Sequence, residues 1–89
     1  MSTPRWWRIG VVYEQDGAPW TWTFHVRALS ERTARQLVAE RVGRPHGVHV
    51  CHPSDPHQRA PRTEEIAVDY GPFQRSWSDT SIAHLKETL

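Results

Sequence analysis

The clearest pattern in the chain is a strict alternation of apolar and polar residues between positions 19 and 28. The apolar residues on one side of this segment are Trp20, Trp22, Phe24, Val26 and Ala28. The residues between them, on the other side, are Thr21, Thr23, His25 and Arg27. A period of two is typical of a strand with one buried and one solvent-facing side. We therefore predict a half-buried strand here, with its tryptophans facing a core.

A preceding strand is predicted from Arg5 to Tyr13, where β-branched and aromatic residues dominate. Its apolar face would carry Trp7, Ile9, Val11 and Tyr13. The segment between the two strands, Gln15 to Ala18, contains an Asp-Gly pair, which is typical of tight reversals because glycine accepts a positive φ. The two strands are thus predicted to form a hairpin.

A helix is predicted over residues 30–42, with Ser30 as its N-cap. Its apolar residues fall on one helical face, and they are Ala34, Leu37, Val38 and Val42. Gly43 and Pro45 follow and are typical of a helix end. This helix is expected to cover the tryptophan-bearing face of the hairpin.

The second half of the chain carries weaker signals. Residues 48–52 predict a third strand, and the alternation of Ile66, Val68 and Tyr70 predicts a fourth, which Gly71-Pro72 would turn. Residues 53–63 contain three prolines and are expected to form an extended loop, a candidate for mobility. Residues 78–88 predict a last helix, capped by Ser78 or Asp79.

These elements predict one α+β domain over residues 1–89. The order is ββα-β-β-α, with a mostly antiparallel sheet and one or two helices packed on one face. At 89 residues the chain has room for one core. Its 5 Trp, 2 Tyr and 2 Phe supply that core although only 37% of the residues are hydrophobic.

Composition also restricts the class of protein. The single cysteine, Cys51, cannot form an intramolecular disulfide, and no apolar run resembles a signal peptide or a membrane span. We therefore expect a cytoplasmic protein without membrane contact.

The charge is uneven: residues 1–62 carry nine arginines against five acidic residues, whereas residues 63–89 carry two basic residues against five acidic ones. The two halves are expected to pair across the fold.

A histidine-rich stretch is the one candidate for metal or catalytic chemistry. Its members are His46, His49, Cys51, His52 and His57. A zinc site of His49, Cys51 and His57 stays open as an alternative, because these are zinc-type ligands, but no paired ligand spacing completes it. On a regular strand His49 and Cys51 would share a face, and a cysteine that follows Val48 and Val50 in a strand is typical of a small core residue. We expect no catalytic residue, no metal and no cofactor.

The solvent-facing side of the hairpin is the candidate contact surface. It would present four residues of aromatic and basic character, which are Trp6, Arg8, His25 and Arg27. Aromatic and arginine side chains dominate protein–protein hot spots. The sequence therefore favours a small non-enzymatic binding module, namely an adaptor or inhibitor such as phages and mobile elements encode. A homodimer through a sheet edge is a further option.

The alternative function is binding or regulation of single-stranded nucleic acid. Single-stranded nucleic acids bind to open sheet faces on which aromatic side chains stack with the bases and basic side chains neutralise the phosphates. The two functions differ in their expected response to salt, because phosphate contacts release counterions and weaken steeply as salt rises.

Overall fold

The computed structural model describes residues 4–53 and 64–88, so that most of the predicted 53–63 loop lies outside the described residues. The elements are β1 (Arg5–Gln15), β2 (Ala18–Ala28), α1 (Glu31–Val42), β3 (Gly47–Pro53), β4 (Glu65–Gln74), α2 (Thr80–Ala83) and a 3₁₀ turn (Lys86–Thr88). This order confirms the predicted ββα-β-β-α arrangement and the α+β class. No helix in the described ranges is long and apolar enough to cross a membrane.

The four strands form one antiparallel sheet in the order β3-β1-β2-β4. The central hairpin is paired without interruption from Arg5 and Ala28 to Gln15 and Ala18. Its turn has positive φ at both central residues, 55° at Asp16 and 77° at Gly17. Such a turn matches the twist of the strands and favours Asp-Gly, as the sequence predicted.

The core lies between the sheet and α1, on the side that we call the inner face. Its buried residues are Trp7, Ile9, Val11, Tyr13, Phe24, Val26 and Ala28 from the sheet, with Ala34, Val38 and Val42 from α1. Both predicted strand faces are therefore confirmed. Trp20 and Trp22 are only partly buried, and the Arg41 guanidinium lies 5.3 Å from the centre of the Trp22 ring. Each large buried side chain contributes about 1.5–3 kcal/mol of hydrophobic stabilisation.

The ends of α1 have the predicted caps. The Ser30 hydroxyl accepts a hydrogen bond from the Thr33 backbone N–H at 3.2 Å. Gly43 has φ of 67° and donates its N–H to the Ala39 carbonyl at 2.9 Å. Both contacts satisfy backbone groups that the helix leaves without internal partners.

A bulge in β3 contradicts one expectation. The β1–β3 register shifts between Gly10 and Val11, whose partners are Val50 and Val48, and His49 is the extra residue. Cys51 consequently packs against the inner core, whereas His49 lines a cleft on the opposite side of the sheet. The prediction that His49 and Cys51 share a face is wrong because a regular strand was assumed.

A second bulge lies in β4, where Ala67 is the extra residue opposite His25 and Val26 of β2, and it separates the apolar residues of β4. Ile66 lies opposite Val26 and packs against the core, while Val68 lies opposite His25. The predicted fourth strand is confirmed, but Ile66 and Val68 lie on opposite sides of it.

The predicted turn at Gly71-Pro72 is also wrong. The peptide between these residues is cis and Gly71 has φ of 123°, but β4 continues to Gln74. A register shift opposite Thr21 and Thr23 absorbs the irregularity and restores the pairing with β2.

The C-terminal helix is shorter than predicted. Residues 78–88 form a cap at Asp79, the four-residue α2 and then a 3₁₀ turn. Ile82 of α2 is buried, and it lines a cleft together with Thr21 and His49, on the side of the sheet opposite α1. The second helix therefore covers one end of that side, and no other helix of the described residues lies there.

Candidate binding surface

The four predicted contact residues lie together on the side of the sheet opposite α1, which we call the outer face. They form two cross-strand pairs, Trp6 with Arg27 and Arg8 with His25. Arg8 is exposed and the other three are partly buried. The alternation of the hairpin thus placed them correctly, although their role in binding stays a prediction.

Arg27 is already engaged by its neighbours. Its guanidinium lies 5.2 Å from the centre of the Trp6 ring and forms a 2.6 Å ion pair with Glu65. These contacts hold Arg27 flat against the sheet and compensate its charge. Of the four predicted residues, Arg8 is therefore better placed to meet a charged partner.

The sequence reasoning missed the apolar part of this surface, which comes from β4. Val68, Tyr70 and Phe73 are 42%, 49% and 56% exposed, and in the described residues only Leu29 joins them as an exposed large hydrophobic. The β2–β4 register places them beside His25, Thr23 and Thr21 on the outer face. The alternation of Val68 and Tyr70 indicates that they share one side of β4, but only the bulge decides which face of the sheet that side belongs to.

A groove crosses the outer face beside these residues. One part is a cleft of about 310 Å³, and an adjoining part of about 280 Å³ shares four of its lining residues. We call the two together the outer groove. Its shared residues are Arg8, Thr21, Thr23 and Arg75. Tyr70 and Phe73 line the first part, and Asp79 and Ser81 line the second.

Two guanidinium groups line the groove, and neither Arg8 nor Arg75 forms an ion pair within the described ranges. The charge of Arg75 acts at longer range on Asp79. Arg75 is held in place, because its Nε donates a hydrogen bond to Thr21 Oγ1 at 3.0 Å and its backbone N–H donates to the Pro19 carbonyl. The groove therefore offers two cations, one of them fixed by the sheet.

The histidines add no positive charge at neutral pH. Burial lowers the pKa of His25 below 6.5, and the positive charge of Arg8 lowers it further. Burial is also the main cause of the lowered pKa of His49. Hydrogen bonds from the side chain and backbone of Ser81 lower the pKa of Asp79, which is therefore ionised. At pH 7 the charges lining the groove are two guanidinium groups and one carboxylate.

The described residues of the histidine-rich stretch are divided between the two sides of the sheet. Cys51 donates to Glu31 Oε1 at 3.3 Å on the inner side, and burial raises the pKa of its thiol. His49 lies on the opposite side, and His57 lies outside the described residues. In the part of the chain that the structure describes, no group of three His, Cys, Asp or Glu residues is arranged to hold a metal ion.

Comparisons with known proteins identify no relative of this chain. A scan against protein-family models finds no matching family. Neither the curated proteins nor the solved structures contain a match. The outer face and its groove are therefore the features from which a function is inferred.

Proposed function

We propose that this chain is a small non-enzymatic binding module that contacts a partner protein through its outer face. The observation that carries the proposal is the exposed apolar row of Val68, Tyr70 and Phe73 beside Arg8, which forms no ion pair with the described residues. Exposed apolar groups that lie together mark interaction sites more often than single ones do. Tyrosine and arginine are also enriched among the residues that dominate binding energy.

The scaffold beneath this surface supports the same proposal. Val68, Tyr70 and Phe73 belong to a strand that is paired with β2, so their backbone is already ordered before a partner arrives. The His25 and Tyr70 rings pack edge to face, with their centres 5.4 Å apart. Preorganisation of this kind reduces the entropy lost on binding.

Within this proposal the protein is a cytoplasmic adaptor or inhibitor of the phage or mobile-element type. The only cysteine is a free thiol, which fits a reducing compartment. The small size of the domain fits an accessory protein that occupies a surface of a larger partner.

Single-stranded nucleic acid is the second candidate partner. The observation that favours it is the presence of the Tyr70 and Phe73 rings in one groove with Arg8 and Arg75. Aromatic rings stack on bases, and guanidinium groups neutralise phosphates.

Affinity capture from a lysate of the source organism, with and without nuclease, tests the proposal. Three tagged forms are compared: the wild type, the outer-face variant Tyr70→Ala/Phe73→Ala, and the control Arg32→Ala/Gln36→Ala on the exposed side of α1. We expect the wild type and the control to retain the same protein after nuclease treatment and the outer-face variant to lose it.

Each other result contradicts the proposal in its own way. A protein retained equally by the outer-face variant would show that the partner binds elsewhere. Nuclease-sensitive capture of RNA or DNA would favour the second candidate. If the purified protein has twice the monomer mass in light scattering, with no lysate present, the partner is a second copy paired through an edge strand, β3 or β4.

A further inference from the structure

We infer that the outer groove binds a short acidic segment of the partner protein, in which a carboxylate side chain stands next to an aromatic or large apolar one. This inference rests on the proposed function and names the chemistry of the partner at that same surface. It follows from the two chemically different sides of one groove.

The charged side of the groove selects a carboxylate. Arg8 and Arg75 line both parts of the groove, and neither is paired with an acidic residue in the described ranges. The planar guanidinium group donates two parallel hydrogen bonds to a carboxylate, and such charge-assisted bonds are stronger than neutral ones. Thr21 and Thr23 also line both parts of the groove, and their hydroxyl groups add polar partners.

The aromatic side selects the neighbouring residue of the segment. Tyr70 and Phe73 expose about half of their surface and line the cleft of about 310 Å³. That volume is at the lower limit of ligand pockets, and it suits one large side chain. A ring that enters the cleft would cover Tyr70 and Phe73 while an adjacent carboxylate reaches Arg8.

The arrangement of the acidic residues favours a short acidic segment over a nucleic-acid strand. Asp79 lies in the second part of the groove, and Glu65 lies on β4 beyond His25, paired with Arg27. A strand carries a phosphate at every nucleotide and would meet these carboxylates as it left the groove. One or two carboxylates held at Arg8 in the first part of the groove would lie on the side that Asp79 does not line.

The test is an NMR titration of the ¹⁵N-labelled full chain with four defined probes. Three are blocked pentapeptides: Gly-Glu-Phe-Glu-Gly, its neutral analogue Gly-Gln-Phe-Gln-Gly, and its ring-free analogue Gly-Glu-Ala-Glu-Gly. The fourth is a ten-nucleotide oligothymidine. We expect the first peptide to bind at least about tenfold more tightly than either analogue, since the neutral analogue loses the charge-assisted hydrogen bonds and the ring-free analogue leaves the cleft unfilled. Its shifts should centre on Arg8, Tyr70 and Arg75.

Matched variants localise the interaction. Arg8→Gln should reduce the affinity for the acidic peptide to that of the neutral analogue, because it removes the charge and keeps a long polar side chain. Arg32→Gln, on the exposed side of α1, should leave the affinity unchanged. Both positions are exposed, so the fold is expected to survive, and the spectrum of each variant checks this.

Four results would overturn the inference. Equal affinity for the acidic and neutral peptides would remove the role of the arginines, and shifts confined to α1 would place the site elsewhere. Tighter binding of oligothymidine would favour nucleic acid. If no peptide binds but capture still depends on Tyr70 and Phe73, the inference fails and the proposed function stands. If capture survives Tyr70→Ala/Phe73→Ala, the proposed function fails as well.

Discussion

The inner and outer faces of the sheet are built from the same strands but have opposite surroundings. On the inner face Phe24 is 0% exposed beneath α1, whereas on the outer face Phe73 is 56% exposed. Among the described residues, α2 covers the end of the outer face where Ile82 lies near Thr21. The same residue type therefore stabilises the fold on one face and remains available for a partner on the other. Coverage by a helix, and not hydrophobicity alone, separates the two roles.

The largest expected effect is the difference in the free energy of unfolding between variants of the two phenylalanines. Phe24→Ala should lower the free energy of unfolding by about 3–5 kcal/mol, because it opens a cavity in the core. Phe73→Ala should change the free energy by only about 0.5 kcal/mol, because the side chain is mostly solvated already. Urea denaturation followed by tryptophan fluorescence measures both. Similar losses for the two variants would show that the outer row is part of the core.

The next prediction concerns the N-cap of α1, because α1 is the helix that covers the inner face. Ser30→Ala removes the acceptor for the Thr33 N–H and should lower the free energy of unfolding by about 1 kcal/mol. Ser30→Asp keeps an acceptor at the same position and should unfold at a urea concentration close to that of the wild type. An equal loss in both variants would contradict the capping role.

Charge removal on the outer face should affect binding more than stability. Arg8→Ala/Arg27→Ala deletes one unpaired cation and one partly exposed ion pair with Glu65, which together should cost at most about 1 kcal/mol of stability. The affinity for the captured partner should fall clearly, as measured with purified components. Unfolding of this variant would show that the two side chains support the core.

A small pH effect should arise from the half-buried histidines. Because the pKa of His49 in the folded chain lies below the usual 6.5, the unfolded chain takes up a proton first as the pH falls. The free energy of unfolding should therefore be constant between about pH 7 and 8 and decrease as the pH falls through 6.5. His25, with a pKa lowered in the same direction, adds to this decrease.

Urea midpoints at pH 7.5 and 5.5 measure the effect, and this window stays above the titration of Asp79 and Glu31, whose pKa values are lowered. His49→Asn should show a smaller difference between the two pH values than the wild type. A midpoint that rises on acidification would contradict the burial of His49. The neighbouring charges of Asp79, Arg75 and His84 modify the size of the effect but not its direction.

The sequence by itself determined the hairpin, the helix and the sides of the two central strands. The alternation in β2 and the Asp-Gly turn are local signals, and they placed Trp6, Arg8, His25 and Arg27 correctly on the outer face. Ser30 and Gly43 likewise marked the ends of α1 through backbone hydrogen bonds that lie within one turn of the cap. Local patterns succeed here because each feature depends on neighbours that are close along the chain.

Only the tertiary structure decided which residues of β3 and β4 face outward. One extra residue in a strand reverses the side of everything that follows, and bulges in both pairings do so for His49 and Val68. The groove also joins Arg8, Tyr70, Arg75 and Asp79 from distant parts of the chain. Pairing register and helix placement depend on contacts across the whole sheet, and no periodicity in a short segment specifies them.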